Sequence, residues 1–285
     1  MFRQNLHAHS TYDDGKSTLR EMIEASIAAG LTSVGISVHS PLPYENEWGI
    51  PEEQLPVYLS ELHALQTEYT GRIEVFAGIE WDIMTKTDLS LFDYAIGSVH
   101  HMPLDTPPLC VDTSAEVTLD LLTRHFGGDA DAMAEAYFSQ YDAVASQPLA
   151  KIVGHVDLLT KYDEQRTPIF NPLSMRYQMA ALTAMEKLVA AGKVFEINTG
   201  AISRGCRVTP YPSRELLCAL REMGGKITIS ADAHHVSGVA YAYDKAEALA
   251  KACGFTQAYV LQRTEKGCEF AAQPFEERMS CLSPV

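Results

Sequence analysis

The feature that most constrains this chain is an alternation running through most of its length. Short apolar, β-branched runs near residues 2–8, 33–39, 73–81, 94–100, 150–156, 194–199 and 226–232 are separated by segments with helical spacing. The helical segments include "STLREMIEASIAAG", capped by Ser17 and stopped by Gly30, "EEQLPVYLSELHALQTEY", "DAMAEAYFSQYDAVA", "PLSMRYQMAALTAMEKLVAAG" and "SRELLCALREMG". Strand alternating with helix implies parallel βα units, and seven such units close into a barrel more readily than they remain an open sheet. A further helix near 243–253 and an apolar run at 258–262 follow the seventh unit. At 285 residues and 46% hydrophobic content the chain can bury a large core, so residues 1–285 are read as one α/β barrel domain. Two long connections, 40–56 and roughly 102–128, interrupt the rhythm and are read as lids or binding loops, or, for the second, as a simple insertion.

In parallel barrels the chemistry sits at the C-terminal ends of the strands, and here those ends carry a pattern. The first run ends in His7 and His9, the second in His39, the third in Glu80 and Asp82, the fourth in His100 and His101, the fifth in His155 and Asp157, and the seventh in Asp232 and His234. Side chains alternate along a strand, so the pairs His7/His9, Glu80/Asp82, His155/Asp157 and Asp232/His234 each place both members on one face. A single histidine at a strand end is ordinarily a satisfied core residue. Six strand ends converging without a cation would instead leave costly buried charges and donors. The donor set is nitrogen and oxygen with no thiolate, which suits zinc, manganese or iron, and nine plausible ligands exceed the needs of one ion. Two or three divalent ions are expected.

Composition narrows the partners. A formal charge of −15 argues against a surface for long nucleic acid, so a phosphate ligand would have its charge met locally. The absence of a long apolar run or a signal-like N-terminus leads to the expectation of a cytoplasmic protein without a membrane partner. Six cysteines, at 110, 206, 218, 253, 268 and 281, include no CxxC pair and are expected to be reduced thiols that mostly fill space.

Taken in order, "HAH", Asp14, His39, "GIEWD", "GSVHH", "GHVD" and "SADAH" resemble the polymerase-and-histidinol-phosphatase (PHP) superfamily. "EINTGAISRG" and "TPYPS" within 196–213 resemble its histidinol-phosphate phosphatase branch, and the resemblance spans residues 1 to about 262. It implies a distorted (β/α)7 barrel with a trinuclear metal site at the C-terminal ends of the strands. One ion would take His7, His9, Glu80 and Asp232, a second Glu80 as bridge with His100 and His155, and a third Asp14, His39 and His234, with Asp13 the competitor of Asp14. It also implies a metal-dependent phosphomonoesterase that hydrolyses L-histidinol phosphate by attack of a metal-bridging hydroxide.

Arg204 within the family motif, then Lys161 and Arg207, are the expected phosphate donors, against the ordinary fate of Lys and Arg as solvated surface charge. Asp232 or His234 would assist the leaving alkoxide if freed from coordination. Loop 40–56, with Tyr44, Glu45, Glu47 and Trp48, either recognises the ammonium and imidazole of the substrate or is simply exposed. His63 and His125 are expected to be structural or at the surface, and His101 and His235 to stand behind ligands or to meet the substrate. The rivals are a PHP phosphoesterase for another small phosphate ester, nucleotide or phosphodiester, a non-enzymatic module on the same barrel, and an amidohydrolase.

Overall fold

The structure, a computed structural model, describes residues 1–44, 48–105 and 107–276. Its sheet contains β1 (Gln4–Asn5), β2 (Ser33–His39), β3 (Glu74–Asp82) and β4 (Tyr94–Ser98), then, after a small two-stranded ladder of β5 (His101–Met102) and β6 (Leu109–Cys110), β7 (Ala150–Val153), β8 (Val194–Asn198) and β9 (Lys226–Ser230). The seven barrel strands are parallel and lie in chain order, as the alternation predicts. Every residue of β2, β4 and β8 is buried, which is why these strands read as mainly apolar runs without a clear in–out alternation.

The barrel closes at its C-terminal rim. Ala8 and Ala233 form a parallel bridge, with His9 N donating to Ala233 O at 2.9 Å and Ala233 N donating to His7 O at 3.1 Å. Inside, the Tyr94 ring crosses from β4 over β2 and β3, and a Cβ at Gly35 or Gly78 would collide with it. Those two strands therefore carry glycine where a neighbouring side chain fills their space.

The outer helices are α1 (Leu19–Ala28), α2 (Leu55–Glu68), α3 (Ala115–Phe126), α4 (Ala130–Ser139), α5 (Tyr141–Ser146), α6 (Met175–Ala190), the single turn α7 (Gly200–Ser203), α8 (Arg214–Glu222) and α9 (Tyr243–Ala252). The cap of α1 is Thr18, in a reciprocal box with Glu21, and not Ser17, which is buried and accepts from Val236 N. The stretch read as one helix from 131 to 145 breaks at Gln140 into α4 and α5. The connection 102–128 is more ordered than a lid or insertion requires. It holds the β5/β6 ladder and then α3, which Ser114 caps and Gly127 ends with φ 58°.

A C-terminal hairpin, β10 (Gln257–Thr264) and β11 (Gly267–Pro274), covers the floor of the barrel. Leu261 and Cys268 pack with Leu6, Phe76, Tyr94, Ile96 and Ile152, and Leu261 exchanges two hydrogen bonds with the Gln4 side chain. One expectation about cysteine is corrected. Cys218 and Cys253 are paired as a disulfide, because α8 and the end of α9 pack side by side with Cα atoms 4.7 Å apart. Cys110, Cys206 and Cys268 are free thiols, and Cys281 lies outside the described residues.

Candidate metal centre

The bridge between Ala8 and Ala233 sets "HAH" beside "DAH", so two pairs 225 residues apart in sequence share one end of the barrel. Glu80, near the end of β3 and 1% exposed, occupies the middle. Its Oε2 lies 3.0 Å from His7 Nε2, 3.1 Å from His39 Nδ1 and 3.6 Å from His9 Nε2. Its Oε1 lies 3.0 Å from His155 Nε2 and 3.2 Å from His100 Nε2. Asp232 Oδ1 stands 3.2 Å from His9 Nε2 and 3.5 Å from His234 Nδ1. Asp14 Oδ1 stands 3.2 Å from His234 Nε2 and 3.8 Å from His39 Nε2. The nine residues named from sequence thus meet in one cluster.

Asp13 does something else. Its carboxylate accepts from His9 Nδ1 at 2.7 Å and from the backbone N–H groups of Ser10 and His39, so it faces the back of the cluster while Asp14 faces the front. The same arrangement recurs at two more imidazoles. His7 Nδ1 is 2.9 Å from Glu196, and His100 Nδ1 is 3.3 Å from Asp82, which also holds His101 Nδ1 at 3.0 Å. A carboxylate at the rear nitrogen fixes the proton there and turns the lone pair of the other nitrogen inward.

Cations fit this donor set. His7 Nε2, His9 Nε2, His39 Nδ1 and Glu80 Oε2 are buried atoms with no hydrogen-bond partner among the described residues, and all four point into the same space. Buried polar atoms are nearly always satisfied, and four orphans at one place fit a divalent cation better than they fit packing. Four overlapping sets of donor atoms lie within reach of a shared ion: His9, Asp14, His39 and His234; His7, His9 and Asp232; His7, Glu80 and His155; His39, Glu80 and His100. Burial alone would raise the Glu80 carboxyl, but the imidazoles of His7, His39 and His100 hold it well below the usual carboxylate range. Asp232 is likewise held low, by Arg204 and His7 against its burial.

The Asp232 backbone is in the left-handed region, φ 46°, where only a supported non-glycine residue persists. Arg204, at the end of α7, supplies that support by donating to Asp232 O at 2.8 Å and to Asp232 Oδ2 at 2.9 Å. Gly200 lets this turn approach, since a Cβ there would sit 2.7 Å from Asp232 Cβ. Arg204 and Lys161 both line the cavity above the cluster. Arg207 does not. It is buried, donates to Thr160 O and Thr160 Oγ1, pairs with Glu164 at 3.1 Å, and lies over the Tyr211 ring, so it ties loops together instead of facing a phosphate. Asp232 and His234 stand inside the donor cluster, so neither is a spare acid while it binds a cation.

Asp157 leaves the cluster because β7 ends at Val153 and the chain turns after it, so its carboxylate accepts from Ser213 N at 2.8 Å. Trp48 lines the cavity, edge-on to His39 at 4.6 Å and stacked on His101 at 5.3 Å, and Tyr44 stands edge-on to His101. Glu45 and Glu47 lie outside the described residues. His63 and His235 are exposed, and His125 pairs with Asp105. Two acids at the site are not singled out in the sequence, Glu196 behind His7 and Asp112, which lines the cavity. The signal for Glu196 was a carboxylate in the middle of the apolar run "VFEINT", the one barrel strand whose end carries neither histidine nor acid.

A family model described as PHP domain matches residues 5–200. A Deinococcus radiodurans protein named "Probable histidinol-phosphatase" is 28% identical over 240 residues, 79% of this chain and 84% of the relative. The histidinol-phosphatase of Bacillus subtilis is 24% identical over 269 residues, 86% of this chain and 98% of that protein. Among solved structures, the histidinol phosphate phosphatase of Lactococcus lactis subsp. lactis, complexed with zinc, L-histidinol and phosphate, has a TM-score of 0.71 at 21% identity and covers 90% of this chain and 96% of its own. Among the described residues no helix is long and apolar enough to cross a membrane. With the family match running from the "HAH" strand through β8 and covering well over half of the sequence, this chain belongs to the PHP domain family.

Proposed function

We infer that this chain is a metal-dependent phosphomonoesterase that hydrolyses L-histidinol phosphate to L-histidinol and phosphate, a step of histidine biosynthesis. The observation that carries the reading is the set of orphaned donor atoms around Glu80, in a PHP chain whose full-length relatives are named histidinol-phosphatases. The Lactococcus protein of the same fold binds zinc, L-histidinol and phosphate together.

His7, His9, Glu80 and Asp232 would hold one ion, Glu80 with His100 and His155 a second, and Asp14, His39 and His234 a third. Their nitrogen and oxygen atoms suit zinc, manganese or iron. The close approach of Asp14 to His39 and His234 supports it over Asp13 as ligand. Divalent ions at such a site acidify water and neutralise phosphoryl oxygens. The chain's own contribution is placement. Arg204, fixed on two Asp232 oxygens, and Lys161 present fixed positive charge where a phosphate would enter. Trp48 and Leu158 give the cavity an apolar side.

The test is phosphate release from L-histidinol phosphate beside sugar phosphates, nucleotides and a phosphodiester, with metal content measured on the same sample. A strong preference for histidinol phosphate with two or three ions per chain is expected. A preference for another ester at the same metal content would keep the chemistry and overturn the substrate.

A further inference from the structure

The cavity above the cluster is lined by four carboxylates among the described residues, and three of them, Asp14, Glu80 and Asp232, face the imidazoles. The fourth, Asp112, belongs to none of the donor sets. It sits just after β6, with Oδ2 2.9 Å from Lys161 Nζ and Oδ1 2.6 Å from the Cys110 thiol, which donates to it. Its carbonyl oxygen accepts from Lys161 Nζ at 3.0 Å and from Tyr162 Oη at 2.6 Å, so the residue is clamped in place by the loop after β7. A carboxylate accepts roughly four hydrogen bonds. Two are taken here, and the side chain remains partly open at the cavity.

A carboxylate beside a phosphate subsite is an electrostatic liability. It repels the dianion and offsets the charge of Lys161, the cation that would attract it. A phosphatase for anionic esters in general gains nothing from that placement. The sign reverses when the ester carries its own cation a few bonds from phosphorus, because the same carboxylate then attracts the substrate and repels competitors that lack the cation. L-histidinol phosphate has such a group, an ammonium on the carbon next to the phosphorylated one. Among the described residues that line the cavity, the other three acids face the metal set, which leaves Asp112 as its partner.

We propose that Asp112 binds the ammonium of the substrate and makes the site selective for phosphate esters bearing a vicinal amine. The proposal rests on the reading of the chain as a histidinol-phosphate phosphatase. It gives Asp112 two contacts, Lys161 on one side and the substrate amine on the other, with Cys110 fixing the carboxylate plane.

The experiment compares L-histidinol phosphate with its des-amino analogue, 3-(imidazol-4-yl)propyl phosphate, as metal-loaded wild type, Asp112→Asn and Lys161→Met. The readout is the ratio of kcat/KM between the two esters. In wild type the amine should be worth at least about ten-fold, and Asp112→Asn should abolish most of that ratio. Lys161→Met should weaken both esters and, because Tyr162 and Cys110 still hold Asp112, should reduce the ratio far less than Asp112→Asn. If Asp112 serves only to position Lys161, Asp112→Asn will depress both esters alike and the proposal falls. Should Asp112→Asn fail to fold, the wild-type ratio still decides, since equal use of the two esters overturns the proposal. Failure of the underlying reading looks different: wild type would then turn over neither imidazole ester well and would prefer another phosphate.

Discussion

Replacing Glu196 by glutamine changes one atom of a buried side chain and should cost the protein much of its metal affinity. Glu196 accepts four hydrogen bonds. Oε2 takes His7 Nδ1 at 2.9 Å and the Ser230 hydroxyl, and Oε1 takes His155 N at 2.7 Å and Asn198 Nδ2 at 2.8 Å. Glutamine keeps one acceptor oxygen, so its amide nitrogen must face one of these two donor pairs. The backbone N–H of His155 cannot change role, which directs the oxygen there and the NH2 toward His7 and Ser230. Ser230 can rotate its hydroxyl. His7 can only move its proton from Nδ1 to Nε2, the nitrogen 3.0 Å from Glu80 that the cluster needs bare. The expected loss is about 10- to 100-fold in metal affinity, or ~1.4–2.7 kcal/mol. Titration of metal-free Glu196→Gln against a competing chelator reads this directly, with circular dichroism to establish that the variant is folded. A folded variant with wild-type affinity and stoichiometry would refute the argument that Glu196 sets the His7 tautomer.

Three further outcomes are expected. Arg204→Ala should raise KM about ten-fold or more, and Arg204→Lys should not restore it, because lysine lacks the planar fork that holds Asp232 O with Nη1 and Asp232 Oδ2 with Nη2 and still has N–H groups left for phosphate; steady-state kinetics with metal content checks this. Arg207→Ala should lower stability by ~3 kcal/mol through lost buried contacts to Thr160 and Glu164, with a smaller change in KM than Arg204→Ala, as read by denaturant unfolding beside kinetics. In metal-free protein, burial would lower the His9 imidazole, but Asp13 lifts it from 6.5 to about 10. A folded-state value above the unfolded one gives stability that is full below about pH 6.5 and lost as pH rises toward 10, so the thermal midpoint in chelator should fall across that window; a midpoint flat with pH would contradict it.

The barrel was legible in the sequence because most strand residues are buried on both faces and the strands are mainly apolar, while the helices bury one face and keep helical spacing. The donor cluster was legible for a related reason, since polar side chains at the ends of such strands have few other places to go. What lay beyond reach depended on pairing across long separations. Glu196 is an ordinary strand residue until His7 is placed 2.9 Å from it, and Cys218 and Cys253 look unrelated until α8 and α9 are packed together. Arg207 had the residue type and neighbourhood of a phosphate donor, but Thr160 and Glu164 had already claimed its guanidinium. The strand at 267–274 escaped notice because it alternates only weakly and is half exposed; its partner at 257–264 is what makes it a strand. Helix α3 was missed although Ser114 and Gly127 bracket it with ordinary start and stop signals.

The floor hairpin also bears on how the chain acquires its fold during synthesis. Gln4 leaves the ribosome well before Leu261, and its side chain bonds both the N–H and the carbonyl of that residue, 257 positions later. Leu6 packs in the same cluster with Leu261 and Cys268. β1 therefore keeps its lower end uncovered until the hairpin emerges, and the hairpin then completes the floor under strands made long before it.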